Sequence, residues 1–341
     1  MRVLVIGGTR FMGRLLAFRL LARGDDVTLF NRGTLPDPFG TRVERLVGDR
    51  TSGEFERRLH DRTFDAVVDF AAYQGDDVQR AIATFAGRVG HYVFISTGQV
   101  YLVREGLPSR PEGARESDYD GPVMPRPSGA HDVGNWEYGV GKRACEDALV
   151  EAFARDRFPS TRVRIPMVNG EGDNEQRLQS YLARLVDGGP VLLPHVGGAP
   201  FPRTRHVYAA DVARAIESLL GLERTHGEAF NFANEETPTL VELVTMLAAH
   251  LGASPRLVPI TMERLEAEGI APVEISPFSV RWMSFLDPTK AKAQLGFSAT
   301  PLDVQLGRVV ASFLARTGEP PPGYRHRARE LALAAAPSPE M

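Results

Sequence analysis

Over the first hundred positions, short runs of β-branched and aliphatic residues alternate with stretches of helical periodicity. The runs at 3–6, 27–31, 43–47, 66–70 and 92–96 predict strands, and 12–23 and 78–87 predict helices. Such alternation is the signature of parallel βαβ units. Strands as continuously apolar as Ala66-Val67-Val68-Asp69-Phe70 suit a sheet covered on both faces, so the fold class is α/β with a doubly wound parallel sheet. From 104 to 135 the chain turns rich in Pro, Gly and charge, with Pro108, Pro111, Pro122, Pro125 and Pro127 breaking regular structure, and its length suits a lid. A long helix is expected over 136–156 and a strand over 162–165. Later come helices at 174–187, 210–220, 240–251, 290–295 and 304–316 and a strand at 229–232, with a Gly/Pro-rich stretch through Pro202. The domain reading is a core over 1–168 that takes later strands from about 205–235. A smaller, mixed α/β substrate subdomain over 169–318 is interleaved with it, and a frayed tail covers 319–341.

Composition narrows the picture further. At 341 residues, 43% hydrophobic and 24% charged, the chain has the make-up of an ordinary globular protein. No apolar run approaches the roughly 20 residues that cross a bilayer. The apolar start, Val3 to Ile6, meets Gly7-Gly8 at once and reads as a first strand rather than a signal peptide. One cysteine, Cys145, forms no intramolecular disulfide, which suits a reducing, cytoplasmic setting. A net charge of −3 argues against nucleic acid as the main partner. His91, His131, His195, His206 and His226 are scattered without ligand spacing, so no metal site is expected.

The chemistry begins at Gly7-Gly8-Thr9-Arg10-Phe11-Met12-Gly13, a glycine turn between the first strand and a helix. Glycines there let the backbone approach a pyrophosphate, whose charge sits on the helix N-terminus. After the second strand stand Asn31 and Arg32, where NAD-binding folds place an acid on the ribose 2′-hydroxyl; their chemistry, with Arg10, leans to the 2′-phosphate of NADP. Asp49 is a candidate acceptor for the adenine amino group, or a turn aspartate. Tyr138 and Lys142 stand at i and i+4, on one face of the long helix. A phenol with an ordinary pKa of about 10 becomes a useful base beside an ammonium and a cationic nicotinamide. Ser96 and Thr97 end the fifth strand, where ligands bind in open α/β sheets, and Thr97 is expected to bond the reacting oxygen.

These motifs together resemble the extended short-chain dehydrogenase/reductases, the NAD-dependent epimerase/dehydratase family, and within it a subgroup with a Gly-Gly-Thr-Arg-Phe turn. The likeness extends to Ala71-Ala72-Tyr73, Val100-Tyr101, Arg164-Ile165-Pro166, the run His206 to Ala213, and Asp287-Pro288-Thr289-Lys290-Ala291. It implies a Rossmann core with a nucleotide-sugar type of C-terminal domain, an NAD(P) cofactor, a small-molecule substrate and frequent dimerisation. Thr97, Tyr138 and Lys142 are then catalytic. Gly7, Thr9, Arg10, Phe11, Met12, Gly13, Asn31, Arg32, Asp49, Ala71, Ala72, Tyr73, Ser96, Lys142 and Pro166 would meet the cofactor. Thr97, Gln99, Tyr101, Asn169, Arg203 and Arg205 would meet the substrate.

The departures from that pattern carry information too. Arg10 replaces the usual middle glycine, and Gly98-Gln99 follow Thr97 where dehydratases carry acids, leaving water elimination without a proton donor. Met167 stands where epimerases often have an asparagine, with Asn169 two residues on. The expected activity is hydride transfer at a secondary alcohol or ketone, as an epimerase or a reductase. A non-catalytic or RNA-associated member of the same fold is the other reading, opposed by the presence of Thr97, Tyr138 and Lys142.

Overall fold

The structure, a computed structural model, describes residues 1–195, 203–279, 281–316 and 320–336. In chain order its strands are β1 (Arg2–Ile6), β2 (Asp26–Asn31), β3 (Glu44–Val47), β4 (Ala66–Asp69), β5 (Tyr92–Ile95), β6 (Ser160–Arg164), β7 (Met167–Asn169), β8 (Val191–His195), β9 (His206–Tyr208), β10 (Ala229–Asn231) and β11 (Leu257–Thr261). The chain divides into two compact units. The first is built from Met1–Met167, Ala209–Ala233 and Ser284–Ala299, and the second from Val168–Tyr208, Asn234–Met283 and Thr300–Met341.

The first unit holds a seven-stranded sheet in the order β10-β6-β5-β4-β1-β2-β3, and every pairing in it is parallel. Val3, Leu4, Val5 and Ile6 of the inner strand β1 are fully buried or nearly so, as an apolar strand covered on both faces must be. One flank is packed by the helices Phe11–Arg23 and Ala209–Leu219, and Gly75–Phe85 packs with Ala130–Asp156. Leu4, Ile6, Phe30, Val67, Phe94 and Leu149 belong to one buried cluster between sheet and helices. Strand order reverses between β1 and β4, and in open α/β sheets the ligand crevice lies outside the carboxyl ends of the strands at that point.

Two sequence expectations shift in this unit. The long helix begins at Ala130 rather than at 136, directly after Pro127-Ser128-Gly129, because its first turns carry Gly134 and Asn135 and show no apolar periodicity. The segment expected as an open lid is tied down. Ala114 N–H donates to the Phe285 carbonyl and the Ala114 carbonyl accepts from Asp287 N–H, Met124 N–H donates to the Val103 carbonyl, and the Trp136 indole donates to the Met124 carbonyl at 3.0 Å.

In the second unit β8 pairs with β11 in parallel and β7 lies beside β9. These strands of three to five residues were too short to stand out as periodic runs. The helix Leu240–His250 opens on a capping box in which Thr239 and Glu242 satisfy each other's backbone N–H groups. Where a frayed tail was expected, Arg327–Ala335 is helical. Glu330 forms a buried pair with Arg184 at 2.6 Å, and Arg327 pairs with Asp187 at 2.5 Å. The end of the Gly/Pro-rich stretch, 196–202, and the last five positions lie outside the described residues.

Candidate active site

The turn after β1 is built for close approach. Gly7 has φ of 87°, in the region that favours glycine, and a Cβ on Gly13 would lie 2.7 Å from the Gly7 carbonyl oxygen, so the helix could not pack so near the strand with any side chain there. Arg10 is the N-cap of the helix Phe11–Arg23. It offers no side-chain bond to the free N–H groups, and the first turn carries no acid. Phe11 is held at φ of 38°, a strained backbone of the kind found at ligand clamps. An uncapped, acid-free N-terminus behind a glycine turn fits the pyrophosphate of a dinucleotide. Arg10 has an ordinary extended backbone and an exposed side chain, so its replacement of glycine leaves the turn intact.

Other predicted cofactor residues end neighbouring strands of the same sheet. Asn31 closes β2, its Oδ1 accepting from Gly33 N–H at 2.8 Å, and Arg32 beside it is exposed. Asp49 stands in the turn after β3. Its Oδ1 accepts from the Thr51 N–H at 2.8 Å and hydroxyl at 2.7 Å, and those bonds hold the carboxyl below its usual range. Ala71, Ala72 and Tyr73 follow β4, beside Gly7 across the point of strand reversal. Pro166 is buried just after β6.

Tyr138 and Lys142 both lie on the helix Ala130–Asp156, but in opposite environments: Tyr138 is exposed and Lys142 is buried. The Lys142 ammonium donates to the Ile95 carbonyl at 2.8 Å and sits 5.0 Å from the Tyr73 ring centre and 4.7 Å from that of Phe94. Burial pushes Lys142 down to about 8, with Arg50 acting in the same direction and Cys145, Asp69 and Glu146 opposing. Gly139 and Gly141 make this seating possible. A Cβ on Gly139 would meet Val103 Cγ1 at 2.6 Å, and one on Gly141 would collide with the Tyr73 carbonyl oxygen. Thr97 Oγ1 accepts from the Gln99 N–H at 3.2 Å, so its own hydrogen remains available to a reacting oxygen. Gly98 is pressed against Ser284 and Leu286, and Gln99 turns its amide toward Asn135 at 3.4 Å. An acidic side chain at 98, such as dehydration would use, has no room.

Two predicted residues turn away from this crevice. Ser96 donates to Glu146 Oε1 at 2.5 Å, and Tyr101 accepts from Arg164 at 2.7 Å while donating to Asn231 at 2.9 Å; both side chains are buried. The reason is the Glu146–Arg164 pair, at 2.5 Å and fully buried, which needs every neighbouring polar group to satisfy it. Arg164 holds the Glu146 carboxyl low despite its burial. A second buried cluster, Arg50 with Asp69 at 2.8 Å and Asp77 at 3.5 Å, lies under the end of β4, with Tyr92 donating to Asp69 at 2.6 Å. Sequence reasoning missed both clusters. The available signal was a charge inside an apolar strand, Asp69 and Arg164 alike, since such a charge requires a partner.

The remaining substrate candidates lie in the second unit. Asn169 is buried with its amide nitrogen 2.8 Å from His206 Nδ1. Arg203 is exposed and donates to the Thr237 carbonyl at 3.0 Å; Arg205 is buried. A cleft of about 440 Å³ in the first unit, lined by Arg214, Leu219, Phe232 and Phe297, contains none of the predicted residues, and its one charge, Arg214, is paired with Asp211. Among the described residues no cluster could hold a metal ion, and no helix is long and apolar enough to cross a membrane.

Sheet order, glycine turn and uncapped helix define a Rossmann-type α/β fold. Residues 3–85 match the NAD dependent epimerase/dehydratase family. A dTDP-6-deoxy-L-talose 4-dehydrogenase (NAD(P)(+)) of Kitasatospora kifunensis is 26% identical over 313 residues, 87% of this chain and 90% of that protein. The chloroplast stem-loop binding protein of 41 kDa b of Arabidopsis thaliana is 26% identical over 252 residues, which is 70% of this chain but 60% of the plant protein. The fold of a UDP-glucuronic acid 4-epimerase from Bacillus cereus in complex with NAD superimposes with a TM-score of 0.68 at 18% identity, covering 92% of this chain and 99% of that one. The match to the NAD dependent epimerase/dehydratase family thus spans the N-terminal segment, and the likeness to the solved structure is one of fold.

Proposed function

We propose that this chain is a nicotinamide-dependent enzyme that moves hydride reversibly at a secondary alcohol or ketone of a nucleotide-sugar-like substrate, as an epimerase or a reductase. The observation that carries the reading is the half-exposed phenol of Tyr138 one helical turn from the buried ammonium of Lys142, beside the strand-reversal crevice. Tyr138 takes the proton of the substrate hydroxyl, Lys142 favours the phenolate, and Thr97 donates to the same oxygen. A bound nicotinamide supplies the hydride acceptor or donor. Glycine turn and helix N-terminus hold its pyrophosphate, and the absence of an acid at Asn31-Arg32, with Arg32 exposed, favours NADP over NAD. Support comes from the K. kifunensis relative, which acts on a dTDP-sugar with NAD(P)(+).

Denaturing the purified protein and weighing the released small molecules, alongside titration of the stripped protein with NADPH and NADH, tests this directly. Retained cofactor supports an epimerase cycle, selective NADPH binding to an empty site supports a reductase, and binding of neither refutes the reading. The likeness to a stem-loop binding protein favours a second reading, as an RNA-associated member. Tight binding of a stem-loop RNA at physiological salt, without cofactor binding, would establish it instead.

A further inference from the structure

The Tyr138–Lys142 pair has a third member. We propose that Tyr73 is a positioning residue for it, its ring closing over the Lys142 ammonium so that the lysine is held between two aromatic faces and kept from bulk water. This rests on the hydride-transfer reading for its purpose, though not for its geometry. Tyr73 is anchored through its backbone: its N–H donates to Asp77 Oδ2 at 2.9 Å, and its carbonyl faces the side-chain-free Gly141. The side chain is half exposed. The Tyr73 ring centre lies 5.0 Å from Lys142 Nζ, which is also 4.7 Å from the ring centre of Phe94, and the Tyr73 ring centre is 6.3 Å from that of Tyr138. One side chain therefore touches both members of the pair.

Two opposing effects follow from that position. The ring excludes water, which disfavours the ammonium, and its negative face attracts the ammonium, which favours it. Exclusion dominates, because burial is the largest influence on Lys142. The charged and titratable groups facing Lys142 are Cys145 and Glu146 on its own helix, Asp69 at the end of β4, Arg50 after β3 with its partner Asp77, and Tyr138. Of these only Tyr138 also packs on the Tyr73 ring, at 6.3 Å between ring centres; the others keep their places when the Tyr73 side chain is changed. Truncation to alanine admits water and raises the proton affinity of Lys142. Leucine keeps the cover but lacks the negative face, and so lowers it. Phenylalanine keeps both.

Competitive acylation with acetic anhydride across pH reads this without turnover, since only the free amine reacts. Lysine occurs at three positions, so Lys290 and Lys292 serve as internal standards for an intact fold. The half-reaction point of Lys142 is expected near 8 in the unaltered chain and in Tyr73→Phe, higher in Tyr73→Ala toward the ordinary 10.5, and lower in Tyr73→Leu. In turnover, the alkaline limb should move in the same order. Coincident labelling curves for all four proteins would overturn the proposal, as would Tyr73→Phe behaving like Tyr73→Ala, which would put the effect on the hydroxyl. Should no hydride transfer be found, the labelling order still decides the role of Tyr73.

Discussion

Two glycines of the long helix offer a matched perturbation. Gly134 and Gly141 are both in Ala130–Asp156, but a Cβ on Gly134 meets nothing within 4 Å, whereas one on Gly141 meets Gln74 Oε1 at 2.9 Å and the Tyr73 carbonyl oxygen closer still. Replacing either by alanine gains helix propensity of about 1 kcal/mol. That gain is common to both and cancels in their difference. What remains for Gly141→Ala is the collision. Ordinary carbon contacts begin near 3.5 Å, so the helix and the Tyr73–Gln74 backbone must separate by roughly 1 Å. Overpacking of this kind costs about 1–3 kcal/mol. Gly134→Ala should therefore be more stable than the unaltered protein, and Gly141→Ala less stable than Gly134→Ala by about 1–3 kcal/mol. Urea denaturation followed by far-UV circular dichroism measures the difference, provided the slopes agree. The separation also draws Lys142 from under the Tyr73 ring, so Gly141→Ala should lose activity while Gly134→Ala keeps it. Equal stability of the two variants would refute the packing argument at its root.

Further expectations concern the buried charges. Glu146→Gln leaves Arg164 uncompensated inside the first unit and should destabilise it by about 3–5 kcal/mol; a denaturation midpoint matching the unaltered protein would contradict this. Adding Arg164→Met to that variant should recover part of the loss, because the fully buried guanidinium is then gone and only the more exposed Arg162, 3.9 Å from Glu146 in the unaltered chain, is left without its partner. His91 is buried against His226 at 4.7 Å, and burial pushes its pKa from 6.5 to about 3. An unfolded chain takes up that proton below about 6.5 and the folded one does not. Stability is then full above that pH and declines as pH falls toward 3, with His91→Gln flattening the decline in a urea-midpoint series.

The inner strands β1, β4 and β5 were legible because each is a nearly continuous apolar run, whereas β3 (Glu44–Val47) and β6 (Ser160–Arg164) carry charges and were placed by the βα alternation; the candidate site residues were read from their place at strand ends. Tyr138 and Lys142 could be paired from spacing alone. What spacing could not convey was that one is exposed and the other buried, since that depends on Gly139 and Gly141 pressing the helix onto distant segments. Ser96 and Tyr101 looked like site residues for the same reason that Thr97 did. Their hydroxyls instead serve Glu146 and Arg164, a pair whose members are far apart in sequence and close only after folding. The 104–135 segment looked unstructured because its order comes from long-range bonds, such as Asn231 to the Ala114 carbonyl at 2.9 Å, rather than from local periodicity.

The position of β10 bears on how the protein is made. It pairs with β6 in the sheet, yet residues 168–208 of the other unit are synthesised between them. During translation β6 therefore emerges with an open edge and waits for Ala229–Asn231, and such an edge can pair with any passing strand. A nascent chain stalled in that interval would be the species most prone to aggregate and the one most in need of a chaperone.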